Sequence, residues 1–396
     1  MCLNLRLTTS TIAPSRSDNV VTVCGLLGWI TVASVEFVEA THKYIGNRTP
    51  AVDKLDLTIE SGEFMVLLGA SGSGKTTALR MLAGLETVDS GAVYIDGQDV
   101  SDLEPGERDI AMVFQSYALY PQMTVAQNLG FRLTLTGTPH SAVARRVRRM
   151  ATQLDLTPTL ERLPRTLSGG EQQRVAMGRA MMREPRVYLM DEPLGALDAK
   201  LRAEVRGQIS NLQRRLGTTM LYVTHDQTEA MTMGDRIAVL KDGILLQCDA
   251  PRVLYDNPAN AYVAAFLGSP PMNLLSARVE HTWAVLGDVD VVELPLGRTL
   301  VSELSGPEVT VGFRPDKARL APPGTGLFAH VEAVENLGYV SYAHCNAGLG
   351  DRRRDVIVRC EPGLAPEPGT AVGIAVDPAE IHYFEPFSGR RLHAVR

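Results

Sequence analysis

Three short segments carry residues that could do chemistry. Gly69-Ala70-Ser71-Gly72-Ser73-Gly74-Lys75-Thr76 has the spacing G-x-x-x-x-G-K-[ST]. In such a loop the backbone N–H groups converge on phosphate oxygens, and the helix that follows adds its positive end. Lys75 would then neutralise the β- and γ-phosphates of a nucleotide, and the Thr76 hydroxyl would ligate Mg²⁺. Val187-Tyr188-Leu189-Met190 is an apolar run ending in the carboxylates Asp191 and Glu192. Asp191 suits the outer shell of that Mg²⁺, and Glu192 suits a general base for the attacking water. Without a phosphate loop the two acids would merely cap a strand before Pro193.

The third segment, Leu167-Ser168-Gly169-Gly170-Glu171-Gln172-Gln173, reads as a helix start with an N-cap serine. It is either a ready anion site or a plain capped helix, and position alone does not choose. The chain supplies its own phosphate loop elsewhere, so the natural client of this segment is a nucleotide held by a second copy. Two further polar residues follow apolar runs: Gln115 after Met112-Val113-Phe114, and His225 after Met220-Leu221-Tyr222-Val223-Thr224. An amide at the first position would ligate Mg²⁺ or orient water, and an imidazole at the second would reach a γ-phosphate or that water. Alternatively the amide is a turn residue and the histidine structural or exposed.

The elements that must position these groups are visible in the periodicity. Ala33, Val35 and Phe37 alternate with polar residues, as do Leu55, Leu57 and Ile59, which predicts half-buried strands. Phe64-Met65-Val66-Leu67-Leu68 is a continuous apolar run, as a parallel strand buried on both faces requires. Leu79, Leu82 and Leu85 follow the glycine loop at helical spacing, so strand, loop and helix occur in the order a phosphate loop needs. Asp96-Gly97 and Asp242-Gly243, each between apolar runs, predict hairpins. Residues 116–183 read mostly as helix, and the arginine run Arg145-Arg146-Val147-Arg148-Arg149 within them as a solvated helix face. Beyond Gly268-Ser269-Pro270-Pro271, short β-type runs (309–313, 331–334, 356–358, 371–376) are divided by Pro- and Gly-rich turns, as in a small all-β barrel. The fold class is therefore α/β, with an antiparallel β subdomain and a helical subdomain, plus a C-terminal all-β domain.

Composition sets the bounds. A chain of 396 residues predicts two domains. A net charge of −6 argues against nucleic acid as a partner, since phosphate-backbone binding needs a basic surface. The five cysteines are scattered, with no C-x-x-C pair, which fits a reducing compartment rather than a disulfide or zinc framework. Residues 1–31 form an extension read as disordered or as upstream sequence ahead of a start near Val32, with a faint signal-peptide character the weaker reading. The expected domains are thus 1–31, 32–267 (nucleotide-binding, with its helical part at about 116–183) and 268–396.

These segments, in this order, resemble the nucleotide-binding subunits of ATP-binding-cassette (ABC) transporters across residues 32–268. The resemblance implies ATP and Mg²⁺ as cofactors and gives each segment a role. Tyr44 looks like the aromatic that stacks on adenine. Gly69, Ser71, Gly72, Ser73, Gly74, Lys75 and Thr76, with neighbouring Thr77, look like the Walker A nucleotide site. Gln115 resembles the Q-loop glutamine, and Ser168, Gly169, Gly170 and Glu171 the signature that meets the partner's ATP. Asp191 and Glu192 resemble the Walker B pair, Asp198 a D-loop residue and His225 the switch histidine. Thr76, Gln115 and Asp191 are the implied Mg²⁺ residues; Glu192 and His225 are the implied catalytic pair.

The resemblance narrows to the carbohydrate importer branch, the maltose-importer ATPase type. It does so on Ala111 to Pro121, Tyr222 to Gln227, Gly268-Ser269-Pro270, Val311-Gly312-Phe313-Arg314-Pro315 and Phe387-Ser388-Gly389-Arg390-Arg391-Leu392. It implies a C-terminal OB-type (TOBE-like) domain that helps dimerise and regulate the subunit. It also implies a homodimer or a closely related second ATPase, two permease subunits, a sugar-binding protein reached through them, and a place on the cytoplasmic face of the membrane. An importer of polyamines, iron or inorganic anions is the rival reading. Soluble cassette proteins of DNA repair or translation would need a coiled-coil insertion, zinc cysteines or tandem cassettes. Three positions depart from the pattern: Ala70 for proline, Gly195 for serine and Glu171 for glutamine, the last leaving the anion site more negative.

Overall fold

The structure is a computed structural model that describes residues 22–25, 28–114, 116–195, 197–286, 292–347 and 354–393. The described residues fall into two compact units. One comprises the described residues up to 40, 56–63 and those within 80–221; the other comprises 41–55, 64–79 and the described residues from 222 on. Four elements pass from one unit into the other along the chain: strands Val35–His42, Val52–Ile59 and Thr219–Thr224, and helix Lys75–Ala83.

In the first unit, strands Ile110–Val113 and Val187–Asp191 pair in parallel, with Ile110 opposite Val187 and Val113 opposite Met190. All five residues of the second strand are buried, as its unbroken apolar run demands. Helices Val125–Leu135, His140–Gln153, Gly169–Met181 and Ala199–Leu216 also lie in this unit. Each boundary has a local cause. Thr124 and Gln127 form a reciprocal capping box at the first helix, Ser168 and Glu171 another at the third. Asp198 caps the fourth, which Gly217 ends in the left-handed conformation. Gly178 lets the third helix approach closely: a Cβ there would lie 2.5 Å from Leu129 Cδ2 and 3.0 Å from Leu154 Cδ1. Strands Thr22–Gly25 and Gly28–Thr31 pair antiparallel, and Ser90–Ile95 pairs with Gln98–Asp99 across the Asp96-Gly97 turn.

Arg108 does unusual work in this unit. It is 4% exposed, and its guanidinium donates to four carbonyls: Met81 (2.7 Å), Leu82 (3.1 Å), Leu103 (2.8 Å) and Ser101 (3.0 Å). The first two belong to the last turn of Lys75–Ala83, where carbonyls lack intrahelical partners.

In the second unit, strand Phe64–Leu68 pairs in parallel with Arg236–Lys241, which turns at Asp242-Gly243 into the antiparallel strand Ile244–Asp249. Beyond short helices Pro251–Asp256 and Ala261–Phe266, most regular elements among the described residues are strands, with helix Gly297–Ser302 between them. A six-stranded sheet runs in the order Val292–Pro295, Trp283–Leu286, Asn273–Glu280, Glu308–Phe313, His382–Phe384, Arg391–Leu392. A five-stranded sheet runs Ala318–Ala321, Ala371–Val376, Leu327–Asn336, Ser341–Ala347, Arg354–Cys360. Both contribute inward residues to one core that includes Leu275, Val311, Phe313, Val331, Val356 and Ile374. The Asn273 side chain links the sheets, donating to the Ile357 carbonyl (2.9 Å) and accepting from its amide (2.8 Å). Arg314, 3% exposed, donates to the carbonyls of Ala264, Leu267 and Tyr255 and stacks 4.1 Å over the Tyr255 ring. It thereby anchors both short helices to the β domain. No helix among the described residues is long and apolar enough to cross a membrane.

Candidate functional site

The glycine loop lies in the second unit, between the buried strand Phe64–Leu68 and helix Lys75–Ala83. Two of its glycines are required by space. A Cβ on Gly69 would sit 2.4 Å from the Leu240 carbonyl oxygen; one on Gly74, at φ +99°, would sit 2.4 Å from that of Ala51. Gly72, at φ +79°, would by contrast meet no atom within 4 Å, so the loop is open there. The loop is braced by Ser73 N to Ala70 O (3.2 Å) and by Gly243 N to Ser73 O (3.1 Å). Lys75 is 3% exposed; its ammonium donates to the Ala70 carbonyl (2.8 Å) and lies 3.4 Å from Ser73 Oγ. A short polar loop thus holds a buried cation beside the first amides of a helix, which is an anion site.

Thr76 and Thr77 follow in the first turn of that helix. The Tyr44 hydroxyl lies 3.3 Å from Thr77 Oγ1, so the structure brings Tyr44 to the loop although 33 residues separate them. Its ring packs edge-on against His42, at 4.6 Å between centroids. His225 is exposed immediately after strand Thr219–Thr224. That strand end is held by Glu229, which is 3% exposed. Its Oε2 accepts from Tyr222 Oη (2.9 Å) and Thr224 Oγ1 (2.7 Å), and Asp226 caps the helix that carries it. The sequence reading missed this support. Its only signal was Asp226 with Glu229 three residues on, a pattern that marks helix starts in general.

In the first unit, Asp191 ends its strand 8% exposed, and Glu192 follows at φ 43°, a left-handed turn that points the chain away from the strand. Ser168 caps the signature helix, and Glu171 closes the cap: the Ser168 amide donates to Glu171 Oε2 at 2.7 Å. That amide holds the Glu171 carboxyl below the usual carboxylate range, helped by the Ser168 hydroxyl, Arg162 and Arg174 against the cost of burial. A Cβ on Gly169 would lie 3.0 Å from Leu197 Cδ2 and one on Gly170 2.8 Å from Leu201 Cδ1, so either side chain would require those leucine ends to give way. Asp198 accepts from the Leu201 amide at 3.0 Å. Gln115 lies outside the described residues.

A groove of about 410 Å³ that the sequence reading did not identify is lined by residues of the first unit. Phe114, Tyr117, Tyr120, Phe131, Arg132 and Arg183 are among its lining residues, and among the described residues no carboxylate is. The Tyr117 hydroxyl is buried with no hydrogen-bond partner among the described residues, and Tyr117 and Ala118 have φ of 59° and 45°. Arg179 donates to the Ala118 carbonyl and lies 4.6 Å over the Tyr120 ring. Burial, and then the like charge of Arg132, lower the pKa of Arg183.

Comparison with known proteins places this geometry. A 379-residue alignment is 48% identical to the diacetylchitobiose uptake system ATP-binding protein MsiK of Streptomyces coelicolor, covering 91% of this chain and all of that protein. The chain belongs to the ABC transporter family. Its ABC transporter match covers residues 52–195, followed by a MalK OB fold domain at 268–318 and a TOBE domain at 311–384. The trehalose/maltose import ATP-binding protein MalK of Thermococcus litoralis is 46% identical over 91% of this chain and all of its own length. Among solved structures, the dimeric post-hydrolysis state of the cassette MJ0796 bound to ADP and phosphate is 32% identical. It aligns with a TM-score of 0.50 over 55% of this chain and 99% of that one. This ABC family member therefore has an α/β ATPase fold followed by an OB-type C-terminal domain.

Proposed function

We propose that this chain is the ATP-hydrolysing motor of an importer for a sugar or sugar derivative, acting as a head-to-tail pair that holds two ATP molecules. The observation that carries the reading is the complementarity of two anion sites on one chain. One is the Lys75 loop, complete with its own helix; the other is the capped start of helix Gly169–Met181, which has no phosphate loop of its own. ATP bound by Lys75, Thr76, Thr77, Tyr44 and the loop amides of Gly69, Ser71, Gly72, Ser73 and Gly74 would meet Ser168, Gly169 and Gly170 of the second copy. Closure then follows from contacts that exist only with ATP present, so binding energy becomes a conformational step.

The Thr76 hydroxyl, the Asp191 carboxylate and the Gln115 amide are hard oxygen donors of the kind Mg²⁺ takes, and Asp191 is a buried carboxylate at a strand end. The ion would supply neutralisation of charge on the β- and γ-phosphates. Glu192 would accept a proton from the attacking water, His225 would orient that water against the γ-phosphate, and Asp198 would lie at the shared site. The groove lined by Tyr117, Phe131 and Arg132 would receive a permease segment, which puts the subunit on the cytoplasmic face of the membrane. A sugar or sugar derivative as cargo is supported by the names of the relatives, whose solutes include diacetylchitobiose, trehalose/maltose and sn-glycerol-3-phosphate. A sugar-binding protein would reach this chain only through the permease.

Glu192→Gln tests the reading. It should abolish hydrolysis yet preserve ATP binding and ATP-driven dimers, measured by phosphate release and sedimentation; full residual turnover excludes Glu192 as the base. Ser168→Arg should block the dimer in a chain that remains folded, and dimers at parental strength would exclude the shared site.

A further inference from the structure

The hydroxyl of Ser168 has one proton, and in this structure that proton is already committed. Ser168 Oγ lies 3.0 Å from Glu171 Oε2, which can only accept, so the hydroxyl donates to the carboxylate. The same oxygen accepts the Ser168 amide at 2.7 Å, and Ser168 Oγ accepts the Glu171 amide at 3.4 Å. A phosphate oxygen is also an acceptor and requires the same hydroxyl proton. Its arrival must therefore break a charge-assisted bond and bring a phosphate against a carboxylate three residues into the helix. Arg162, 3.6 Å from Glu171 Oε1, offsets part of that charge.

We propose that Glu171 is a positioning residue that opposes ATP-driven closure of two copies, by holding the Ser168 proton and by facing the entering phosphate with a negative charge. The inference rests on the shared-site reading above. Glutamine at this position would serve the cap equally well, since S/T-x-x-E and S/T-x-x-Q form the same reciprocal box. The carboxylate's distinctive effect is thus on phosphate entry rather than on the helix.

The experiment uses the full chain carrying Glu192→Gln, so that closed dimers accumulate. The ATP concentration for half-maximal dimer formation is measured by light scattering at low and at 0.5 M salt. Adding Glu171→Gln should lower it by roughly three- to tenfold at low salt, with the gap narrowing at high salt as charge is screened. Adding Arg162→Gln should raise it, because the carboxylate loses its neighbour. Thermal midpoints should not rise with Glu171→Gln, because the lowered carboxyl pKa means the charged form favours the folded chain, and this separates tighter closure from any gain in helix stability. A Glu171→Gln dimer that needs as much ATP as the parent, or more, overturns the proposal while leaving the shared site intact. A parent that forms no ATP-dependent dimer overturns both.

Discussion

Arg108 offers a test of how the phosphate-loop helix is held from behind. Replacing it with methionine keeps the length and apolar stem but removes every donor. Four carbonyls, on Met81, Leu82, Leu103 and Ser101, then lose the cation's bonds, and Met81 keeps the Gly84 amide at 3.1 Å. Hydrogen bonds from a charged donor contribute about 1.5–3 kcal/mol each, so the gross loss is about 6–12 kcal/mol. Against this, methionine avoids the several kcal/mol needed to desolvate a guanidinium, a cost visible in the way burial lowers the pKa of Arg108. Local relaxation and water recover part of the remainder. The expected net loss is about 3 kcal/mol, or a midpoint drop of roughly 6–12 °C. Arg108→Lys, with donors that cannot form the same fork, should lose about half as much. Urea unfolding followed by circular dichroism reads both variants, with the denaturant slope confirming a comparable transition. A loss below about 0.5 kcal/mol for Arg108→Met would show that the four carbonyls are satisfied without the cation, and would refute this account of the helix end.

Two further outcomes follow. Gly69→Ala places a methyl against the backbone carbonyl of Leu240, which cannot swing away; ATP affinity, measured with a fluorescent nucleotide, should fall by more than about tenfold, whereas Gly72→Ala should cost only about 1 kcal/mol of stability for its left-handed backbone. Unaltered affinity in Gly69→Ala would remove the steric basis for the loop's shape. Burial, and then the charges of Arg391 and Arg314, push the His382 imidazole down to about 4, so it stays neutral in the folded chain while the unfolded chain takes up a proton below about 6.5. Stability present above that value is therefore lost as pH falls from about 6.5 to about 4, by up to about 3 kcal/mol. His382→Phe should flatten this slope, at little cost in hydrogen bonding because His382 Nδ1 is buried without a partner among the described residues. An unchanged slope would assign the acid sensitivity elsewhere.

Local chemistry was the legible part of this protein. The serine cap at Ser168, the turns at Asp96-Gly97 and Asp242-Gly243, and the buried run Phe64–Leu68 each depend on residues within a few positions, and each appears where the pattern places it. The strands Glu308–Phe313 and Ala371–Val376 were equally readable from short apolar runs between turns. Illegible were bonds between residues distant in sequence. Asn273 binds Ile357 across 84 positions, and Tyr44 reaches Thr77 across 33. Arg108 looks like any surface arginine until the carbonyls it covers are known. The groove at Tyr117 was hidden for the same reason: its walls come from a strand, loops and three helices that no single periodicity unites.

The buried carboxylate of Glu229 has a consequence for tempo. With Tyr222 and Thr224 both bonded to it, and Asp226 N bonded in turn to Thr224 Oγ1 at 3.0 Å, the backbone on either side of His225 is tied down. An imidazole on a fixed base changes partners by rotating about its own side-chain bonds, which takes picoseconds to nanoseconds. Collective closure of domains takes microseconds to milliseconds. In the proposed closure, His225 would thus re-equilibrate roughly a thousand times or more within one closing event, and a probe at its ring would keep time with the slower machinery around it rather than set the pace.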